Sequence, residues 1–389
     1  MKKVCYFSNV FFPKNPYLDY NLFYYLHDNN VNITFILKDD DIRLHGIKNK
    51  KTLISFNHKD YKNIKNIIII KEFDELIDIT KNFDLFLCTN LVIDRLKINH
   101  ENFFKLIQTK KCIIDVCGYD IVKKGYFNLN IDYFLVKGKI MKEWLIKMKV
   151  NKKNIYVVGS PLFDYCNKHK LKKNLISKSK IDFYNTYDLD QNKKTLLLTT
   201  TNLRSSRTSM NSENYNEIKS LYHNYKDKYN FILLSYPLDY LFYEIDTKFR
   251  RSENKDKCPD YKYLIKNFKN LKVINANENY DALKYCDYIF HLSAGALSIE
   301  TILLYNKISF TMHFKDKDYY KTKIGYSQHI EFPDDKINIH LNKIEDIFNY
   351  SIDNNQINNT KKCIKDFILI DDAHKNILES IIQILNELN

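Results

Sequence analysis

The sequence has few of the residues that interrupt regular structure. Its 389 residues include only 7 Gly and 6 Pro, so long flexible or proline-rich linkers are not expected. The 8 Cys form no CxxC pair, and the closest two, Cys112 and Cys117, have no His or further Cys beside them. This spacing argues against a metal site and predicts reduced, buried thiols. No window approaches the roughly eighteen consecutive apolar residues that a membrane-spanning helix needs.

Acidic residues are outnumbered by basic ones. The 61 Lys and Arg exceed the 47 Asp and Glu, which gives a formal net charge of +14. A basic surface attracts nucleotides, nucleic acid, anionic lipid headgroups or acidic glycans, although lysines on solvated helix faces give the same total. Met1 to Lys3 lead directly into a short strand-like stretch with no secretory signal. We therefore expect a cytoplasmic protein, with peripheral contact at the inner face of the membrane left open.

Short apolar runs alternate with helical patterns from one end of the chain to the other. The runs include Val4–Ser8, Leu85–Thr89 and Tyr133–Val136 in the first half, and Thr195–Thr199 and Tyr288–His291 in the second. This alternation predicts α/β architecture with parallel sheets covered by helices on both faces. A polar stretch rich in lysine interrupts the pattern after residue 166, and the strand series begins again at Thr195. Two α/β halves joined by a crossing segment are the expected organisation.

A strand, a turn of small residues and a helix follow one another between Tyr288 and Thr301. Helix N-termini with small residues bind phosphate well, although an ordinary N-cap has the same composition. A second group of hydroxyls with arginine follows the strand at Thr195, where a solvated loop is the alternative. The expected donor-binding residues are Ser293, Gly295 and Ser298 for phosphate, Glu300 for ribose, Ile274 for the base, and Thr200, Thr201 and Arg204 for a diphosphate.

Four segments carry a resemblance to a known group of enzymes. They are, in chain order, Tyr133–Leu145, Asn154–Asp164 with its I-x-V-x-G-x-P-like run, Ser293–Glu300, and Ile370–Glu379. Together they resemble GT-B-type glycosyltransferases, nearest in landmarks to CDP-glycerol glycerophosphotransferases and UDP-N-acetylglucosamine 2-epimerases. The resemblance implies two Rossmann-like domains facing each other across a cleft. It implies an acceptor domain at 1–166, a crossing at 167–194, a nucleotide-donor domain at 195–372 and a closing helix at 373–389.

The first half departs from the glycerophosphotransferases, which carry a histidine in a W-H-G-T turn. The corresponding stretch here has no histidine; it keeps Gly118 at the turn, flanked by Asp115 and Asp120. Either carboxylate is a candidate base for an acceptor hydroxyl, and a strand-end cap or helix N-cap is the alternative. Gly118 and Lys123 are the candidate acceptor-binding residues, although Lys123 also suits a solvated position.

These observations predict a metal-independent transferase that needs no cofactor. It would move a sugar from a nucleotide-activated donor to a glycan or lipid-linked acceptor in the synthesis of a cell-surface polysaccharide such as a capsule. A glycerol- or ribitol-phosphate transferase is the first alternative. A UDP-sugar 2-epimerase is the second, although the T-H-R-R-E-N stretch of those enzymes is missing. A catalytically inactive homologue also stays open. A nucleic-acid-binding protein is disfavoured because no recognised module is present.

One helix bears on membrane contact. Within Lys139–Lys149, the residues Ile140, Met141, Trp144, Leu145 and Met148 share one face, opposite several lysines. Such a helix either packs its apolar face in the core or lies on an anionic membrane.

Overall fold

The structure is a computed structural model. It describes residues 2–8, 19–38, 66–89, 100–115, 130–161, 163–164, 177–199, 212–234, 266–268, 271–274, 278–291, 296–312, 334–369 and 372–388. The chain divides into two compact units. The first comprises Met1–Asn167 together with Lys365–Asn389, and the second comprises Lys168–Ile364. Each unit is built on one parallel sheet.

The first unit contains a sheet of seven described strands. Its order is β3-β2-β1-β4-β5-β6-β7, so the direction of winding reverses between β1 and β4. Every residue of β4 is buried, as expected for a strand covered on both faces by helices. The strands are β1 (Val4–Ser8), β2 (Ile33–Lys38), β3 (Ile67–Ile70), β4 (Leu85–Thr89), β5 (Lys110–Ile114), β6 (Tyr133–Val136) and β7 (Ile155–Val157).

Helices connect these strands. They are α1 (Asp19–Asp28), α2 (Phe73–Thr80), α3 (His100–Leu106) and α4 (Lys139–Lys147). In α4, the residues Met141, Trp144 and Leu145 are buried in the core of the unit, where the helix contacts β6 and β7. The middle of the apolar stripe seen in the sequence therefore packs in the core, whereas Lys139, Ile146 and Lys147 are exposed. None of the helices in the described ranges combines the length and apolar character that a bilayer span requires.

The second unit repeats the same winding. Its sheet has the order β10-β9-β8-β11-β12-β13, which reverses between β8 and β11. Aromatic and aliphatic clusters pack on the two faces of this sheet. The strands are β8 (Thr195–Thr199), β9 (Asn230–Leu234), β10 (Lys272–Val273), β11 (Tyr288–His291), β12 (Phe310–Thr311) and β13 (Ile339–His340). The helices are α5 (Lys180–Thr186), α6 (Ser212–Tyr225), α7 (Asn279–Tyr285), α8 (Ala296–Tyr305), α9 (Asp334–Ile337) and α10 (Asn354–Phe367).

The chain after α10 belongs to the first unit and ends in α11 (Ala373–Glu387). It passes very close to Gly138, where any β-carbon would overlap the carbonyl of Phe367. Leu369 donates a backbone hydrogen bond of 2.8 Å to the carbonyl of Lys137. The Asp164 carboxylate caps α11 by accepting hydrogen bonds from the backbone N–H groups of Ala373 (2.8 Å) and His374 (3.0 Å). The terminal helix is therefore fixed to the first unit by contacts with β6 and with the segment after β7.

The fold class predicted from the sequence is confirmed: the protein is α/β, with two parallel sheets. The five strands whose bounds are given above from the sequence, β1, β4, β6, β8 and β11, form over those same residues. One helix that was not predicted lies in the segment expected to be a polar crossing. There α5 forms, and its Phe183 and Tyr184 are buried in the core of the second unit. The strand β13 is a second addition; with two residues it is too short to leave a sequence pattern.

Candidate functional site

The reversal point of the second sheet brings two polar residues together. Thr199 ends β8 and His291 ends β11, and these strands are neighbours in the sheet. The Thr199 hydroxyl lies 2.6 Å from Nδ1 of His291, and both residues are buried. Thr311, which ends β12, donates a hydrogen bond of 2.9 Å to the carbonyl of His291. In open α/β sheets the crevice at such a reversal point, outside the carboxyl ends of the strands, is where ligands bind.

The helix α8 begins after a four-residue connection from β11 and carries two of the predicted residues near its start, Ser298 in the first turn and Glu300 just after it. Ser298 is 1% exposed, and Glu300 is 4% exposed. Within the part of the chain that the structure describes, the Ser298 hydroxyl has no hydrogen-bond partner. In contrast, the Thr301 hydroxyl bonds to the carbonyl of Leu297, four residues earlier in the same helix. A buried hydroxyl without a partner costs about 1–3 kcal/mol. The Ser298 hydroxyl is thus available for a hydrogen bond to a ligand, and it lies near a helix N-terminus that carries a partial positive charge.

Ile274 follows β10 at the carboxyl end of the same sheet. Its side chain is buried, and its backbone N–H donates to the carbonyl of Leu233 at 2.8 Å. This hydrogen bond extends the pairing of β10 with β9, so the N–H group of Ile274 itself is occupied. The residues after it, 275–277, lie outside the described ranges.

The other predicted residues of the donor site fall outside the described ranges. They are Thr200, Thr201, Arg204, Ser293 and Gly295. The structure nevertheless describes the elements on either side of them. Thr200 directly follows β8, and residues 292–295 connect β11 to α8. The strands that precede these segments in the chain, β8 and β11, are the two that flank the reversal point of the sheet.

In the first unit, the carboxyl ends of two adjacent strands carry a buried ion pair. Asp115 directly follows β5, and Lys137 directly follows β6. The Lys137 ammonium nitrogen lies 3.7 Å from Oδ2 of Asp115. Asp115 is 5% exposed and Lys137 is 2% exposed. The backbone N–H of Asp115 also bonds to the carbonyl of Leu135 at 2.8 Å, which continues the strand pairing and fixes the carboxylate in position.

The remaining predictions for the first unit concern Gly118, Asp120 and Lys123, which lie outside the described ranges. Only Asp115 of that group is placed. Its position at the carboxyl end of a central strand is where α/β enzymes present groups to a ligand. The structure describes no group of three or more His, Cys, Asp or Glu side chains arranged to hold a metal ion within those ranges.

Asp164 and His374 form a separate contact near the closing helix. Nδ1 of His374 makes a very short hydrogen bond to the Asp164 carboxylate, and the His374 ring packs edge-on against Tyr25 of α1 at 5.6 Å. Burial alone would raise the pKa of Asp164, but the hydrogen bonds from His374 and Ala373 outweigh it and hold the pKa below its ordinary value. We assign this contact to the docking of α11 rather than to chemistry on a ligand.

Two buried polar residues at the candidate sites were not predicted. His291 lies within the strand–turn–helix segment, but in the sequence it is one residue of an apolar strand. Lys137 resembles any of the many lysines in the chain. The signal that could have found both is position, because each comes at the carboxyl end of a predicted parallel strand.

No protein-family model matches the chain, and no curated protein matches it at a significant level. Solved structures do match it. The UDP complex of MnaA from S. aureus is 11% identical with a TM-score of 0.57, and the match covers 99% of this chain and 97% of that one. UDP-GlcNAc 2-epimerase from Neisseria meningitidis bound to UDP-GlcNAc is 13% identical with a TM-score of 0.52, covering 98% and 100%. The wall teichoic acid polymerase TagF is 12% identical with a TM-score of 0.51, covering 99% and 90%.

These similarities establish the fold. The three proteins are enzymes of the GT-B type, and this chain matches each of them over nearly its whole length. The protein therefore has the GT-B fold, with two Rossmann-like domains. The resemblance to epimerases and glycerophosphotransferases that the sequence indicates is confirmed at this level. The identities of 11–13% carry no residue-level assignment.

Proposed function

We propose that the protein is a transferase that moves a sugar from a nucleotide-activated donor to a glycan or lipid-linked acceptor in the synthesis of a cell-surface polysaccharide. The second unit holds the donor, and the first presents the acceptor. The donor contacts include Ser298 and Glu300 of α8, the backbone after Ile274, and the loop residues predicted from the sequence, which are Thr200, Thr201, Arg204, Ser293 and Gly295.

The observation that carries this proposal is the Ser298 hydroxyl, which has no hydrogen-bond partner among the residues that the structure describes. It is buried at the start of a ten-residue helix, at the reversal point of a parallel sheet. A diphosphate oxygen at this position would accept a hydrogen bond from Ser298 and meet the partial positive charge of the helix N-terminus. Both interactions strengthen as negative charge accumulates on a departing nucleotide, which is the requirement for catalysis of the transfer.

The class of donor is supported by what similar proteins bind. The MnaA structure contains UDP, and the Neisseria epimerase contains UDP-GlcNAc. The TagF polymerase makes wall teichoic acid, a cell-surface polymer. A nucleotide-activated sugar as donor agrees with the ligands of the first two proteins, and a cell-surface polymer as product agrees with TagF. Transfer of glycerol or ribitol phosphate on the same scaffold is the alternative that TagF favours.

In the proposed reaction, Asp115 is the base and Asp120 the alternative to it. The acceptor oxygen bonds to the anomeric carbon of the sugar, the bond from that carbon to the diphosphate oxygen breaks, and the carboxylate takes the acceptor proton. The ammonium nitrogen of Lys137, 3.7 Å from Oδ2 of Asp115, is the counter-charge beside this carboxylate. Gly118 and Lys123 complete the proposed acceptor contacts.

A thermal-shift panel tests the proposal. The ligands are CMP, CDP, UDP and GDP, with their common sugar conjugates and CDP-glycerol. Ligand at a hundred times its dissociation constant adds about 2.7 kcal/mol of stability, which raises the melting temperature by several degrees. A response to one nucleotide that is lost in Ser298→Ala supports the donor site. If the bound sugar is converted without any acceptor, the protein is instead an epimerase. If no nucleotide raises the melting temperature, both the transferase and the epimerase are contradicted.

A further inference from the structure

An open surface pocket lies in the first unit, away from Asp115 and Lys137. It has a volume of about 410 Å³ and opens between α4, β7 and α11. Three lysines line it: Lys142 of α4, and Lys152 and Lys153 of the 3-10 turn that precedes β7. Tyr156 and Ser380 complete its polar lining. All three residues of β7, the strand at this edge of the sheet, also line the pocket, so the pocket lies along that edge.

The three lysines are not neutralised. Within the described ranges, no carboxylate pairs with Lys142, Lys152 or Lys153. Other lysines on the same elements do find partners, since Lys139 pairs with Glu143 and Lys375 pairs with Glu379 at 3.8 Å each. Three lysines therefore line one pocket, and within the described ranges none of them is ion-paired. Like charges held together repel each other, and an anion in the pocket would relieve that repulsion.

The other polar groups of the pocket can also serve an anion. Burial, reinforced by the Glu387 carboxylate, raises the pKa of Tyr156 to about 12, so its phenol keeps its proton. That hydroxyl makes only a long hydrogen bond of 3.5 Å to Glu387. The Ser380 hydroxyl donates to the carbonyl of Asn376 at 2.8 Å, which anchors it at the wall of the pocket. Glu387 is the acidic group next to the pocket, and it does not line it.

We propose that this pocket binds the phosphate group of an anionic phosphate ester, a site distinct from the donor site and independent of the proposed transfer. Lysine ammonium groups and a tyrosine hydroxyl are hydrogen-bond donors of the kind that the oxygen atoms of a phosphate accept from. The volume leaves room for the glycerol or sugar unit that carries the phosphate. Two sources share this chemistry: the headgroup of an anionic phospholipid and a soluble phosphate ester.

The test uses the full chain and three variants. The pocket variant carries Lys142→Gln, Lys152→Gln and Lys153→Gln. The matched control carries Lys219→Gln, Lys226→Gln and Lys343→Gln, which removes the same charge from exposed lysines of the second unit. A third variant replaces the pocket lysines with arginine and keeps the charge. The probes are glycerol phosphate, measured by calorimetry, and vesicles of phosphatidylglycerol in phosphatidylcholine, measured by co-sedimentation.

The proposal predicts that the pocket variant binds at least one probe about a hundredfold more weakly than the wild type, because each lysine near an anionic surface contributes about fivefold. The control variant should stay within about threefold of the wild type, and the arginine variant should retain binding. The probe that shows the loss identifies the source of the phosphate. Equal weakening in the pocket and control variants would overturn the proposal, because it would mean that only the total charge matters. Failure of the wild type to bind either probe would overturn it as well.

Discussion

Replacing Ser298 with alanine should have opposite effects on the free and the nucleotide-bound protein. Among the described residues the buried serine hydroxyl has no hydrogen-bond partner, and a buried hydroxyl in that state costs about 1–3 kcal/mol. Alanine removes that cost, and it also has the higher helix propensity by about 0.5 kcal/mol. We therefore expect the second unit of the free variant to be more stable by about 1 kcal/mol or more. This is a rise in melting temperature of about 2–4 °C for a domain of this size.

In the presence of nucleotide the order should reverse. A hydrogen bond from a hydroxyl to a charged phosphate is worth about 1.5–3 kcal/mol. Loss of about 2 kcal/mol raises the dissociation constant roughly thirtyfold. At a ligand concentration that adds about 2.7 kcal/mol to the wild type, the variant would gain only about 0.9 kcal/mol. Differential scanning fluorimetry with and without the nucleotide measures both effects on the same samples.

A control in the same helix separates this effect from a general change in packing. Thr301 is buried as well, but its hydroxyl bonds to the carbonyl of Leu297 at 2.6 Å. Thr301→Val should leave the response to nucleotide unchanged and should not stabilise the free protein. If Ser298→Ala destabilises the free protein instead, its hydroxyl has a partner within the protein and the reasoning is refuted.

Three further predictions concern the first unit. Gly138→Ala should destabilise it by about 1–3 kcal/mol or more in urea unfolding, because the new methyl group would overlap the carbonyl of Phe367. Asp164→Asn weakens the cap of α11 and should cost about 1–2 kcal/mol at pH 7. The pKa of Asp164 is depressed in the folded state. The difference in unfolding free energy between the wild type and this variant is therefore fully present above the ordinary aspartate pKa of about 3.9. Urea unfolding from pH 7 down to about pH 2 should show this difference shrinking as the pH falls through the depressed pKa of Asp164. A difference that stays constant with pH would contradict the role of the Asp164 carboxylate as the cap of α11. Finally, Lys137→Met leaves the buried charge of Asp115 without its lysine and should cost about 3–5 kcal/mol, whereas adding Asp115→Asn should recover part of that loss. Additive losses in this double-mutant cycle would show that the two residues do not interact.

The regular elements were predictable because parallel strands buried on both faces leave a strong local signal. The run Leu85–Thr89 is apolar at almost every position, and the structure forms β4 over those same residues. The closing helix has four buried positions, Ala373, Ile377, Ile381 and Ile384, at helical spacing. Where the local signal was weak, the prediction missed elements. The helix α5 lies in a polar segment and owes its place to the burial of Phe183 and Tyr184.

The candidate sites were predictable only in part, because their contacts join residues that are far apart in the chain. Ser298 and Glu300 could be found since a strand, a small-residue turn and a helix lie together in the sequence. The contact between Thr199 and His291 depends on the order of strands in the sheet, which no local pattern contains. The same holds for Lys137 beside Asp115. A lysine also gives no sign in the sequence of whether it will be buried.

The basic pocket is the clearest case of a feature invisible in the sequence. Lys142, Lys152 and Lys153 are three of many lysines, and the composition alone suggested either a binding surface or solvated helix faces. The structure separates these three lysines from the others in the chain, because it places all three around one pocket with Ser380. Ser380 is more than two hundred residues away from them in the chain.

A crystal structure of the protein soaked with the nucleotide selected by the thermal-shift panel tests the central claim most directly. We predict that the diphosphate lies at the amino end of α8, with one of its oxygens about 2.7 Å from the Ser298 hydroxyl. A nucleotide bound elsewhere, with the Ser298 hydroxyl still lacking a partner, would contradict the assignment of this helix as the donor site.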